Sequence, residues 1–185
     1  MPIKSAARLA RRFAHVDDAL AAIEFAFILP VMVIAYFGLV DAANALSASR
    51  RVAETTSIIG DLITQQTGGT IAKADLKGLF DAASQTFAPF STAGLAIEAY
   101  GYKMNNGNPV QSWKYTNGTA CPASAPAINM TNVKNLMAEG NDLVVSRVCY
   151  TVAPIVGYVF KTSIPLSDQL ALRPRYSTAL ACSDC

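Results

Sequence analysis

The sequence predicts an α+β chain, in which a long N-terminal transmembrane-plus-amphipathic helix precedes a small antiparallel-sheet domain. Three observations predict it. Residues 19–40 form an apolar run broken by one charge, Glu24, and are long enough to cross a bilayer, which takes about 20 helical residues. From Asp41 to Gln66 the apolar residues recur at helical spacing, with no proline and a single glycine, Gly60. From Leu95 onward the period drops to two, and Val- and Tyr-rich stretches are separated by turn residues.

Taken in order, residues 1–18 form a basic leader, with Lys4, Arg8, Arg11 and Arg12 set against Asp17 and Asp18. They account for the whole net charge of +2 in this 185-residue chain. Basic residues flanking a first span are retained on the cytoplasmic side, which orients residues from about 41 onward away from it. A net charge this small and this local argues against nucleic acid as a partner. The apolar run also explains much of the mean hydropathy of +0.29. Its length and basic flank distinguish it from a buried core helix. An ionised group inside such a run costs roughly 2.5–3.5 kcal/mol on insertion scales, so Glu24 needs a partner, a headgroup or a function.

Residues 41–66 continue the helix. Ala42, Leu46, Val52, Ala53, Ile59 and Ile63 mark the expected apolar stripe. With the span, this gives one helix from about residue 18 to 66, roughly 70 Å long at 1.5 Å per residue. Pro30 loosens a turn within it. Thr67-Gly68-Gly69-Thr70 ends it and opens the outer domain, residues 67–185. A second amphipathic helix follows over Ile71–Phe87, carried by Leu76, Leu79, Phe80 and Ala83 and closed by Pro89. The Asn-Gly step at Asn106-Gly107 supplies a hairpin turn between a strand starting near Leu95 and one over Val110–Tyr115. Residues 117–127 form a loop, and a short helix lies near Asn132–Glu139. A third strand spans Asp142–Val152, and a last pair spans Ile164–Leu172 and Tyr176–Cys182.

Cys121, Cys149, Cys182 and Cys185 all lie beyond the span, in the half assigned to an oxidising compartment. Four cysteines there suggest two structural disulfides, with three possible connectivities. Cys182-Ser-Asp-Cys185 has redox-motif spacing but no following helix to activate a thiol. The single histidine, His15, falls in the leader. Glu98, Glu139, Asp142 and Asp168 are candidate acid–base groups whose spacing implies no pairing. With no phosphate loop and no metal-ligand cluster, we predict no catalytic residue, no metal and no cofactor, and therefore no enzyme. Tyr100, Tyr102, Trp113 and Tyr115 alternate as packing residues, and Arg173-Pro174-Arg175 reads as a turn with solvated charges.

Arg11-Arg12-Phe13, Ala21-Ala22-Ile23-Glu24-Phe25-Ala26 and Leu29-Pro30 resemble the start of the TadE-like proteins, minor pseudopilins of the tight-adherence (Flp) pilus system. Tyr150-Thr151-Val152-Ala153-Pro154 and Leu172-Arg173-Pro174-Arg175-Tyr176 resemble that family's late strands. The resemblance implies a leader cut by a prepilin peptidase in front of the Glu-Phe pair. Here the cut would separate Ala19, which stands where the family has Gly, from Leu20. Glu24 and Phe25 would then be assembly residues. It further implies a single-pass protein of the bacterial inner membrane with a periplasmic or extracellular domain. Implied partners are other pilins or pseudopilins, the inner-membrane assembly platform, the peptidase and the lipid bilayer. Two alternatives have their own signals. Ala43-Asn44-Ala45 has the form of a signal-peptidase site, which would release a secreted domain after Ala45, although the apolar core exceeds the usual 7–15 residues. The C-x-x-C pair would instead make a periplasmic thiol-redox protein.

Overall fold

A computed structural model describes residues 16–137 and 140–185, with side chains from Ala21 onward. The leader residues Lys4, Arg8, Arg11, Arg12 and His15 lie outside the described residues, as does Glu139. Helix α1 runs over Val16–Thr64, 49 residues, continuously through Pro30. Proline lacks an amide hydrogen, so the Ala26 carbonyl loses its ladder partner there, and the neighbouring turns carry the helix across. At 1.5 Å per residue α1 is about 73 Å long. Its inner part has no buried residue in its most apolar window, and its outer part packs on a sheet.

Strand β1 (Thr70–Ile71) leads into α2 (Lys73–Gln85), whose Leu76, Phe80 and Ala83 share one buried face. Strands β2 (Ala96–Asn105) and β3 (Asn108–Asn117) form a hairpin closed by Asn106 and Gly107, at φ 50° and 75°. Two successive positive φ values define the tight turn that matches strand twist, and Asn-Gly is the pair that adopts it at least cost. Helix α3 (Met130–Leu136) is capped by the Asn129 side chain, which accepts the Asn132 N–H. Strands β4 (Leu143–Val152), β5 (Ile164–Leu172) and β6 (Ala181–Cys182) complete the chain.

Strands β2 to β5 form one antiparallel sheet in the order β3-β2-β4-β5. The expected last pair is corrected. Strand β6 is two residues long and pairs in parallel with β1, through Thr70–Ala181 and Ile71–Cys182, rather than with β5. Chain direction explains the difference: after β5, Arg173 and Arg175 bind the ends of α3 and α1, which turns the chain toward β1.

Both sheet faces are covered. On one, Ile97, Ala99, Trp113, Tyr115, Val144 and Val148 meet α1 and α2. On the other, Tyr100, Tyr102, Leu143 and Val145 meet Val133 and Met137. The stripe of α1 differs from the expected one. Ala42, Leu46 and Ala53 are exposed, whereas Ala48, Val52, Thr55, Thr56, Ile59, Gly60, Ile63 and Thr64 are buried. Val52, Ile59 and Ile63 keep their expected places, but at Gly60 the seam is too close for a side chain. A Cβ on Gly60 would stand 3.0 Å from both Leu172 Cδ1 and Ser146 Oγ. The Ser146 hydroxyl donates to the Thr56 carbonyl at 2.9 Å. Buried Thr56 and Thr64 satisfy their own hydroxyls on the Val52 and Gly60 carbonyls one turn back.

Gly101 faces Trp113 across β2 and β3, and a register shift follows at Tyr102. The indole lies over the glycine, so a Cβ there would fall 2.0 Å from Trp113 Nε1. The same nitrogen donates to the Leu180 carbonyl at 2.8 Å, tying the hairpin to the C-terminal segment. Gly101→Ala must therefore displace the indole and break that bond. We expect a loss of about 1–3 kcal/mol, the usual cost of overpacking. Trp113 is the only tryptophan, so a red-shifted emission together with a lowered thermal midpoint in detergent is the readout.

Candidate assembly site

The inner part of α1 offers its side chains outward. Ile23, Phe25, Phe27, Val31, Met32, Tyr36 and Leu39 are all exposed. Phe25, Leu29, Met32, Val33, Tyr36 and Phe37 line one shallow apolar groove along it. Glu24 is exposed at the N-terminal end of these residues, and no ion pair joins it to another described residue. The backbone of Ala19 and Leu20 is helical and continuous with that of Glu24, while their side chains lie outside the described residues. Glu24 and Phe25 are thus adjacent on the lipid-length part of the helix, five and six residues beyond Ala19.

The outer part of α1 is strapped to the sheet at two places. At its C-terminal end the Arg175 N–H donates to the Thr64 carbonyl at 2.9 Å, and the Arg175 guanidinium pairs with Asp61. The backbone bond satisfies one of the carbonyls that a helix end leaves unpaired. At the end of the apolar run, Asp41 is only 2% exposed. Its Oδ1 accepts the N–H groups of Ile155 and Val156 at 2.8 and 3.0 Å, and its Oδ2 accepts that of Gly157 at 3.3 Å. The partners of Asp41 lie more than a hundred residues away, and only the three-residue run Ile155–Gly157, with Gly157 at φ 66°, hints at a convergent turn. Arg173, expected as a solvated turn charge, instead donates to the Leu136 carbonyl.

Of the carboxylates singled out from the sequence, those described have separate structural duties. Glu98, 2% exposed, is held by Lys114 at 3.2 Å, Arg147 at 3.5 Å and the Tyr100 hydroxyl at 2.8 Å. Such a buried charge is tolerable because cations and a donor surround it. Asp142 accepts the Leu180 N–H. Asp168 sits on β5 opposite Val148. No hydrogen bond joins any two of these three.

Disulfides join Cys121 to Cys149 and Cys182 to Cys185. The first pins the long loop after β3 to strand β4 in the centre of the sheet. The second closes the C-x-x-C segment on itself at the end of β6.

Burial, then the bond to Glu98, pushes the Tyr100 phenol above its ordinary 10.0, and burial does the same for Tyr102. Burial alone would lower Lys114, but hydrogen bonds to Glu98 and Tyr100 outweigh it and raise the ammonium above 10.5. Groups whose folded pKa is raised hold their protons in the folded state. Their contribution is fully present below the unfolded values and is lost as pH rises through the folded ones. The thermal midpoint in detergent should therefore be flat approaching pH 10 and fall above it. Tyr102→Phe should flatten that fall, which pH-resolved melting curves will measure.

Residues 20–58 match the family described as TadE-like protein, a match that covers α1 from Leu20 to Ile58 and ends before the sheet begins. No curated protein and no solved structure matches the chain significantly. By length and composition α1 is long and apolar enough to cross a membrane. Over α1, from Leu20 to Ile58, the chain is similar to the TadE-like proteins.

Proposed function

We propose that the protein is a membrane-anchored, pseudopilin-like structural or assembly component of a tight-adherence pilus. The observation that carries the reading is Glu24: a single carboxylate in an exposed apolar helix, within the stretch that matches the TadE-like family. The domain plan that goes with it is a cytoplasmic basic leader over 1–18, a span over 19–40, a continuation of the helix over 41–66 and an outer domain over 67–185. A prepilin peptidase cuts between Ala19 and Leu20. The new α-amine at Leu20 lies four residues before Glu24, about one helical turn. In a low-dielectric environment the amine and the carboxylate pair, within one chain or with a neighbouring subunit. A subunit entering a bundle with the charge unpaired is penalised, so the pair sets axial register while Phe25 and the groove beside it pack against adjacent spans.

The partners are then other pilins or pseudopilins, the inner-membrane platform and the peptidase. The protein works by packing rather than by chemistry, and the two disulfides serve as staples for a domain on the oxidising side. The alternatives of release after Ala45 and thiol-redox activity draw less support. A cut after Ala45 would separate Asp41 from the loop it holds.

Mass analysis of the protein from its native membranes tests the processing. A mature start at Leu20 is expected, and a start at Leu46 sinks the anchored reading. Assembly is tested separately by Glu24→Gln, which leaves the Leu20 amine without its counter-charge. Breaking a buried pair costs about 3–5 kcal/mol, so incorporation should fall by roughly a hundred-fold or more. Normal piliation in that variant would refute the pairing.

A further inference from the structure

The connection between β4 and β5, residues 153–163, carries the largest exposed apolar cluster outside the span among the described residues. Ile155 and Tyr158 are 67% and 62% exposed, and Val156, Val159 and Phe160 are also exposed. No charge occurs from Val152 to Phe160, and Lys161 follows. A water-facing loop of this composition is costly unless something covers it.

Its attachment fixes where it lies. Asp41 holds the backbone of Ile155, Val156 and Gly157. Val159 packs over Gly38, where an added Cβ would stand 3.2 Å from Val159 Cγ2. Gly38 lies within the apolar run, three residues or about 4.5 Å inward of Asp41 along the helix. The loop therefore reaches back beside the span rather than away from it. At this level of α1, Phe37, Gly38 and Val40 are only partly exposed, whereas Tyr36 and Leu39 are exposed.

We infer that residues 155–160 form a second membrane contact, which inserts into the leaflet on the sheet's side while the span crosses the bilayer. The inference rests on the anchored reading above. Two further features favour lipid as the occupant. Backbone N–H groups entering a water-poor layer must be paired within the protein, and Asp41 pairs three in succession. Tyr36 and Tyr158, with Lys161 beside the loop, are residues suited to the headgroup level, where amphipathic rings and long basic side chains settle. The span and the loop then hold the membrane together, so the outer domain keeps a set tilt rather than swivelling about one helix.

The test uses the full chain reconstituted in phosphatidylcholine–phosphatidylglycerol vesicles, with flotation and resistance to carbonate extraction measured first. Tyr158→Trp and Ile155→Trp place a reporter on two exposed loop positions, and Tyr176→Trp places one beside Arg175 at the far end of α1. Native Trp113 is buried and contributes a constant background. Lipids with a nitroxide near the headgroup should quench both loop reporters at least about twofold more than the Tyr176→Trp reporter, as expected for insertion of about 5–10 Å. Vesicle-bound protein whose loop reporters are quenched no more than the Tyr176→Trp reporter overturns the inference and leaves the anchor standing. Unquenched loop reporters that cross-link between copies also overturn it and assign the surface to a second copy. Protein that fails to float, or that carbonate strips, overturns the anchored reading and this inference with it.

Discussion

The close approach of α1 to strands β4 and β5 is the constraint on which the rest of the molecule depends. At Gly60 there is no room for a side chain, and at Thr56 the helix carbonyl accepts a hydroxyl from Ser146 in the middle of the sheet. Around these contacts Val52, Ile59 and Ile63 are removed from water and join Phe80, Ile97, Trp113 and Val148 in one core. Burial of each large side chain is worth about 1.5–3 kcal/mol, so the sheet owes much of its stability to a helix that begins elsewhere. A single helix thus serves two environments. Its inner half presents apolar side chains outward, and its outer half acts as the second layer of an α+β domain.

Two ties keep that arrangement from sliding. Arg175 holds the Asp61–Thr64 end, and Asp41 holds the β4–β5 connection about 30 Å away, taking 1.5 Å for each of the twenty residues between Asp41 and Asp61. Both ties come from the segments that flank β5. With both ends fixed, a displacement of the span is passed to the sheet as a rigid movement. On the proposed reading this suits a subunit whose register is set inside the membrane and whose domain must follow outside it.

Much of the architecture was legible in the residues, and the exceptions have physical causes. The long helix followed from its apolar run and the lack of breakers, and the hairpin followed from Asn106-Gly107, because only a few residue types accept two positive φ values in succession. Period-two alternation located β2, the turn located its partner β3, and Val and Tyr richness located β4. The partner of β6 was not legible, since a two-residue strand carries no pattern and its pairing is settled by where Arg173 and Arg175 turn the chain. The buried stripe of α1 was only partly legible, because Thr55, Thr56, Thr64 and Gly60, which hydropathy passes over, share it with Val52, Ile59 and Ile63. Asp41 looked like the ordinary first charge beyond a span. Its partners lie more than a hundred residues away, beyond the reach of any local pattern. In the candidate assembly site, Glu24 stood out because a carboxylate in an apolar run is costly, and Phe25 only through the resemblance to the TadE-like start.

The central claim is that the outer half of α1 and the sheet form one cooperative unit. Amide hydrogen exchange on the full chain in nanodiscs tests it most directly, because residues that open together exchange with the same free energy. Amides from Val52 to Ile63 should exchange as slowly as those of β2 and β4, and Gly60→Val should speed both groups together. Fast exchange of Val52–Ile63 beside a fully protected sheet would contradict it.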